Sequence, residues 1–387
     1  MNLRVASGKL KVSMSTTRTF PHAMLREIYE QPEALAATMS RYAPNGNLDP
    51  AAFGSVAEAL RGRQRVVIAA SGSSRHAGLA GEIMLEDYAG LAVDVEYSSE
   101  YMYRSTHTLH DPGTIVISQS GETADTLAAL REAKARGLAT VAITNNPNSS
   151  MAREADASLP TLAGREVAIP ATKSFTTQLT VLYVLSLFLA RQRGRLTAQA
   201  VATHCEQMEQ LPELLERHLH RWETEISGIA DALSNARGFL YLGRAIHYAI
   251  AREGALKLKE SAYVEAEGLP AGELKHGPNA LVSPETPLVM LVTRDRNDPD
   301  SSLRYEKTVQ LMRDMHQQGA TIVALHVEGD DEVAALSRHS VAIPAVDEFL
   351  LPMLEVVPLQ LLAYFIAIQR GVNVDAPRNL VKAVVIE

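Results

Sequence analysis

The chain has 387 residues, 46% apolar and 21% charged, with a formal net charge of −8 and a pI near 5.9. That composition suits a globular protein with substantial cores and room for two or three compact units. The acidic balance argues against a nucleic-acid or anionic-membrane surface, which needs clustered Lys and Arg, but allows a local phosphate site of backbone N–H groups and hydroxyls. The one cysteine, Cys205 in the polar helical run HCEQMEQL, cannot form a disulfide within the chain, and no zinc-spaced set accompanies it. No signal-peptide core stands near the N-terminus, and the longest apolar stretch, LTVLYVLSLFLA at 179–190, is too short to cross a bilayer. A cytoplasmic protein is expected, with about the first 15 to 20 residues loosely attached.

In chain order, residues 22–60 read as helices, with Pro32 opening the second of them. From Arg65 the pattern changes. RVVIAAS, LAVDVEYSS, GTIVISQS, LATVAITNN and ASLPTL are strand-length runs rich in Val, Ile and Thr. Helical segments such as HAGLAGEIMLEDYAG and TADTLAALREAKARG separate most of them. Strands alternating with helices predict a parallel sheet covered on both faces. A long amphipathic helical run from His204 to Ala236 then leads into a second series, GFLYLGRA, AYVEAEGL, TPLVMLVTRD, ATIVALHVE and SVAIPAV. The chain therefore reads as an α/β protein with a structural duplication, each copy starting with a strand that ends in a glycine turn, at ASGSS (70–74) and LGRA (242–245). The expected divisions are 1–55 for an N-terminal extension with helices, 56–200 and 201–372 for the two α/β units, and 373–387 for a tail. The last helix is expected to stop at Gly371.

Four constellations carry chemistry. SQSGET, Ser118 to Thr123, follows a strand and opens a helix, where an open parallel sheet binds its ligands. Hydroxyls around a glycine at a helix N-terminus suit a phosphate, although a single hydroxyl would also serve as an ordinary helix cap. Ser71, Ser73 and Ser74 flank Gly72 in a second such loop, which an adjacent strand would bring alongside the first. Glu253, Lys257 and Glu260 are spaced four and three apart, so they share one helix face, as a solvated ion-pair ladder or as a site. That helix feeds a glycine-bounded loop holding Glu273, Lys275 and His276, the last a candidate proton shuttle or a plain surface residue. Lys382, between apolar neighbours in LVKAVVIE, is either solvent-facing or desolvated enough to free its amine for Schiff-base chemistry.

SQSGETADTLAALREAK, ATKSFTTQL, EGALKLKESAY, AGELKHGP and PRNLVKAVVIE occur in this order from Ser118 to the last residue. Together they resemble the isomerase half of glutamine–fructose-6-phosphate amidotransferase, which consists of two sugar-isomerase (SIS) domains. The likeness runs from about Arg26 to Glu387. It implies two tandem SIS domains, each a mainly parallel sheet between helices. It implies a sugar-phosphate cradle of Ser74, Ser118, Gln119, Ser120 and Thr123, with Glu260 moving a proton between C1 and C2. His276, given by the neighbouring subunit of a homodimer, would open the sugar ring. Lys382 would form a Schiff base with the open-chain ketose, Lys257 would line the site, and no metal or redox cofactor is needed. The implied activity is interconversion of fructose 6-phosphate plus ammonia with glucosamine 6-phosphate. A sugar-phosphate sensor or an inactive partner subunit is the alternative. Two segments depart from the family pattern. IPATK (169–173) stands for VASTK, so Ala171 replaces a serine that touches substrate, and NLVKAVV stands for NLAKSVT. The chain is expected to lack the family's glutaminase domain, so ammonia is expected from solution or a separate subunit, or the enzyme is expected to run as a deaminase or to act on a related amino sugar or sugar–amine adduct.

Overall fold

The structure, a computed structural model, describes residues 18–103 and 112–383. The expected loose N-terminus lies, up to residue 17, outside the described residues, as do tail residues 384–387. The chain opens with helices α1 (Ala23–Tyr29), α2 (Gln31–Tyr42) and α3 (Val56–Ala59). The first α/β unit follows as β1 (Arg65–Ala70), α4 (Gly72–Ala89), β2 (Ala92–Tyr97), α5 (Ser98–Tyr101), β3 (Gly113–Ser118) and α6 (Ala124–Ala135), then β4 (Thr140–Thr144), α7 (Ser150–Glu154), β5 (Ala157–Pro160) and α8 (Lys173–Gln192). Helices α9 (Ala198–Met208) and α10 (Leu211–Leu233) connect it to the second unit. The sequence had shown these two as one helical run; Pro212 falls in the first turn of α10, where it restarts rather than continues a helix. The second unit is β6 (Gly238–Gly243), α11 (Ile246–Ala262), β7 (Glu265–Pro270), β8 (Leu288–Val292) and α12 (Pro299–Gln317), then β9 (Ile322–Val327), α13 (Asp331–Leu336), β10 (His339–Ile343) and α14 (Leu351–Gln369).

Both sheets have five parallel strands in the same order, β2-β1-β3-β4-β5 and β7-β6-β8-β9-β10, so the duplication is structural. The central strands β3, β4, β8 and β9 are buried at every position, as their β-branched sequences require when helices cover both faces. Helix α4 packs on α8, α11 on α14, and α11 also on α4, so the two units share a helical seam. Helices α8 and α14 are long and apolar enough to cross a membrane by length alone. Their most apolar windows are 100% and 89% buried inside the protein, so both are core helices. Each fully buried Leu or Val along them contributes about 1.5–3 kcal/mol of burial.

The paired turns differ in a way the sequence did not show. Gly72 takes the left-handed backbone (φ +54) between β1 and α4, but in the second unit the positive φ (+46) belongs to Ala245. Gly243 serves another purpose there: a Cβ would run into the His247 carbonyl and come within 2.7 Å of the Tyr248 nitrogen. The turn closes only because that side chain is missing.

Candidate functional site

Strands β1 and β3 are neighbours, with Ala70 opposite Ile117, so Ser71–Ser74 and Ser118–Thr123 leave the same edge of the sheet side by side. This is the crevice where open α/β sheets bind ligands. Ser71 and Thr123 occupy the N-cap positions of α4 and α6, yet neither side chain caps its helix. Thr123 Oγ1 lies instead 2.9 Å from Ser118 Oγ. The ordinary-cap reading therefore fails, and two helix N-termini keep N–H groups for an anion. Ser118 is buried, while Gln119, Ser120 and Thr123 are half-buried. Ser118 Oγ accepts from the Gly121 N–H at 3.2 Å, and Ser120 Oγ from the Glu122 N–H at 3.1 Å, which fixes the loop's curvature. Ser74 Oγ accepts from Gln178 Nε2 at 3.0 Å. Gln178 was not singled out from sequence; its signal was a polar residue within a fully buried helical face.

Gly121 sits at φ +67, and a Cβ there would overlap Ser149 Oγ and come within 2.8 Å of Thr144 Oγ1. Gly121→Ala is expected to cost about 1–3 kcal/mol in thermal denaturation, because the loop must move. An unchanged melting temperature would mean that the loop has slack.

Helix α11 brings the second unit's carboxylates to this cradle. Glu253 and Lys257 are wholly buried, so the row is not a solvated ladder. Ser73 Oγ donates to Glu253 Oε1 at 2.8 Å, and His76 Nδ1 lies 2.8 Å from Glu253 Oε2. Lys257 Nζ lies 2.6 Å from Glu260 Oε2 and 3.4 Å from Glu253 Oε1. Burial alone would lower the Lys257 pKa, but Glu260 and Glu253 outweigh it and hold the group as ammonium. Burial likewise works to raise Glu253, and Lys257 with His76 and Ser73 overturns that and keeps it ionised. Glu260 is the member nearest solvent, its side chain 22% exposed.

Lys382 lies against the loop between β5 and α8. Its Nζ donates to Glu166 Oε2 and to the Ala168 carbonyl, both at 2.6 Å. Neither setting read from the sequence, open solvent or purely apolar surroundings, is what the amine meets: it is ion-paired with a buried carboxylate. Glu166, unread in the sequence, is buried in the loop, and Glu27 of α1 accepts from the Val167 and Ala168 N–H groups behind it. Burial pushes the Glu27 carboxyl up to about 7. The Glu166 charge is also among those that favour the Lys257 ammonium, after Glu260 and Glu253. Ala171 is half-buried in the same loop. His276 is exposed at the end of a short 3-10 turn, Ala271–His276, and makes no hydrogen bond or ion pair with the other candidates among the described residues.

The model of the SIS domain matches the chain twice, over residues 59–187 and 232–370. The chain belongs to the SIS domain family. Each match contains one of the two parallel sheets. A relative from Chlorobaculum tepidum, a glutamine–fructose-6-phosphate aminotransferase (isomerizing), is 40% identical over 95% of this chain; the chain spans 59% of that relative's length. The C-terminal domain of glucosamine-fructose-6-phosphate aminotransferase from Francisella tularensis superposes with a TM-score of 0.86 at 36% identity, covering 92% of this chain and 98% of that one. A glucosamine-6-phosphate deaminase from Thermotoga maritima shares the fold, with a TM-score of 0.70 at 24% identity over 94% of this chain and 100% of that one.

The second SIS domain treats the matching crevice differently. At the ends of β6 and β8, His247 Nδ1 lies 3.0 Å from Glu355 Oε2 and its Nε2 lies 3.2 Å from Glu348 Oε1. Thr293 also bonds Glu355, while Ser301 and Arg304 hold Glu348. Burial works against a charged His247, but the two glutamates push its pKa up to about 10. Charged side chains thus occupy the place that the first SIS domain keeps for the cradle.

Proposed function

We propose that the chain is an amino-sugar phosphate isomerase interconverting fructose 6-phosphate plus ammonia with glucosamine 6-phosphate. One observation carries this reading: Glu253 ties Ser73, next to Ser74 of the cradle, to the helix face bearing Lys257 and Glu260. A phosphate bound at Ser118–Thr123 then presents the sugar's far end to a carboxylate, as a C1/C2 proton shift requires. The phosphate anchor positions the reacting carbons and takes no part in bond changes. Glu260, the least buried of its row, takes the proton from one carbon and returns it to the other. Lys257, held as ammonium, stabilises the negative charge that develops between them. Lys382 condenses with the C2 carbonyl. His276, exposed and with no hydrogen bond or ion pair to the other candidates among the described residues, opens the ring in a neighbouring copy, which makes the active form a homodimer with shared sites. Ala171 and Pro170 bear on which hexose or amine adduct fits. Both the relative with 40% identity and the Francisella tularensis structure carry names of this chemistry.

The test is direct. The protein is incubated with glucosamine 6-phosphate and ammonia is measured, and separately with fructose 6-phosphate and ammonium. Turnover in either direction supports the reading and gives the preferred direction. Tight sugar-phosphate binding with no turnover either way would make the chain a sensor.

A further inference from the structure

Glu166 has no part in the chemistry described above, yet its two carboxylate oxygens are divided between two tasks. Oε1 accepts from the Thr172 N–H at 2.9 Å and the Ser174 N–H at 3.1 Å, and so closes the start of α8. Oε2 faces the tail: it accepts from Ser174 Oγ at 2.7 Å and from Lys382 Nζ at 2.6 Å. Burial alone would neutralise this carboxyl, but Lys382, Ser174 and Thr172 reverse that and keep it an anion. The ammonium's other acceptors are backbone carbonyls, Ala168 at 2.6 Å and Ile169 at 3.5 Å.

We propose, on the reading that the chain is such an isomerase, that Glu166 is a positioning residue that holds the Lys382 nitrogen at the site and stays its counter-ion through Schiff-base formation. The step balances as follows. One proton passes from the Lys382 nitrogen to the carbonyl oxygen, the freed lone pair bonds to the carbonyl carbon, and the oxygen takes a second proton from the nitrogen and departs as water. The product is an iminium with one N–H and the same single positive charge. An iminium cannot satisfy three acceptors, so the two carbonyls are released. The carboxylate is the acceptor whose charge suits the nitrogen both before and after. Tail residues 376–383 are led to this point by Asp375, whose carboxylate accepts the Ala23 and Met24 N–H groups of α1 and whose carbonyl accepts the Ile169 N–H.

Glu166→Gln separates the two tasks, because the amide oxygen can still close α8 while the anion facing Lys382 is lost. Expected are a fall in kcat of about 10–100-fold, the range for losing a hydrogen bond to a charged group, and a KM for sugar phosphate within about twofold of the parent. Trapping of the Lys382 adduct with fructose 6-phosphate by borohydride, read by peptide mass, should fall in parallel. Ser174→Ala, which removes a loop bond and leaves the anion, should trap normally. Equal trapping in the parent and Glu166→Gln overturns the inference and leaves the isomerase reading standing. So does a variant in which KM rises as much as kcat falls, or a Ser174→Ala loss as large as that of Glu166→Gln. A parent protein that neither turns over nor traps sinks both. If Glu166→Gln does not fold, Glu166→Asp, which keeps the charge but withdraws it, must trap less than the parent or the inference fails.

Discussion

Glu260→Gln should lower turnover by about 10²–10⁴-fold while sugar-phosphate affinity stays near that of the parent. Glutamine has the shape of glutamate but no basicity, so it can still accept from Lys257 and cannot carry a proton between carbons. The fold should tolerate the change because Lys257 keeps Glu253 at 3.4 Å as a counter-charge. The cradle is built from β1, β3, α4 and α6, none of which Glu260 supports through a hydrogen bond or ion pair among the described residues. Turnover and calorimetric binding on the same preparation separate the two effects. Exchange of the substrate's C1/C2 hydrogen with solvent deuterium reads the proton step itself. Full turnover would remove Glu260 from the mechanism. Lys257→Met is a useful contrast: it leaves Glu253 buried with less compensation and should reduce folded protein as well as rate.

The second large effect lies away from the reaction. His247→Leu should destabilise the chain by about 3–5 kcal/mol, because it strands buried Glu355 and weakens the compensation of Glu348. Adding Glu355→Gln should recover a good part of that loss, since the stranded charge is then gone. The pH dependence has a definite sign. His247 is raised from 6.5 to about 10, so its contribution is complete below 6.5 and is lost as pH climbs towards 10. Burial works to raise Glu348, but His247, Ser301 and Arg304 take it from 4.5 down to about 2. Its contribution is therefore complete above 4.5 and is lost as pH falls towards 2. Urea unfolding across pH should show this network's full benefit between 4.5 and 6.5, and the His247→Leu protein should lack the alkaline shoulder and keep a smaller acid one through Ser301 and Arg304. Identical profiles would mean that the network is not coupled to folding.

Much of this was legible in the sequence for physical reasons. β-branched runs broken by helical ones required covered parallel sheets, and SQSGET was read between a strand and a helix, where β3 gives way to α6. The spacing of Glu253, Lys257 and Glu260 put them on one face of α11. It did not show that the face is buried, because burial depends on α11 meeting α4, a contact distant in sequence. Glu166 and Glu27 escaped notice for a similar reason. A lone glutamate in a loop or a short helix carries no pattern, and its meaning comes only from the N–H groups and the lysine folded around it. His276 is the opposite case: the resemblance gives it a role, and a single chain leaves it facing outward.

Helix α11 lies by sequence in the second SIS domain and is bonded to the first, through Glu253 to Ser73 and His76. On the proposed mechanism, a half-molecule cut between the domains would have phosphate without a base, or a base without phosphate. On that mechanism any rocking of one half against the other would change the reach from Glu260 to the bound sugar, and the packing of α4 on α11 would set an alignment tolerance for the reaction. Substitutions in that seam, far from any ligand, should therefore appear first as lost rate and only later as lost fold.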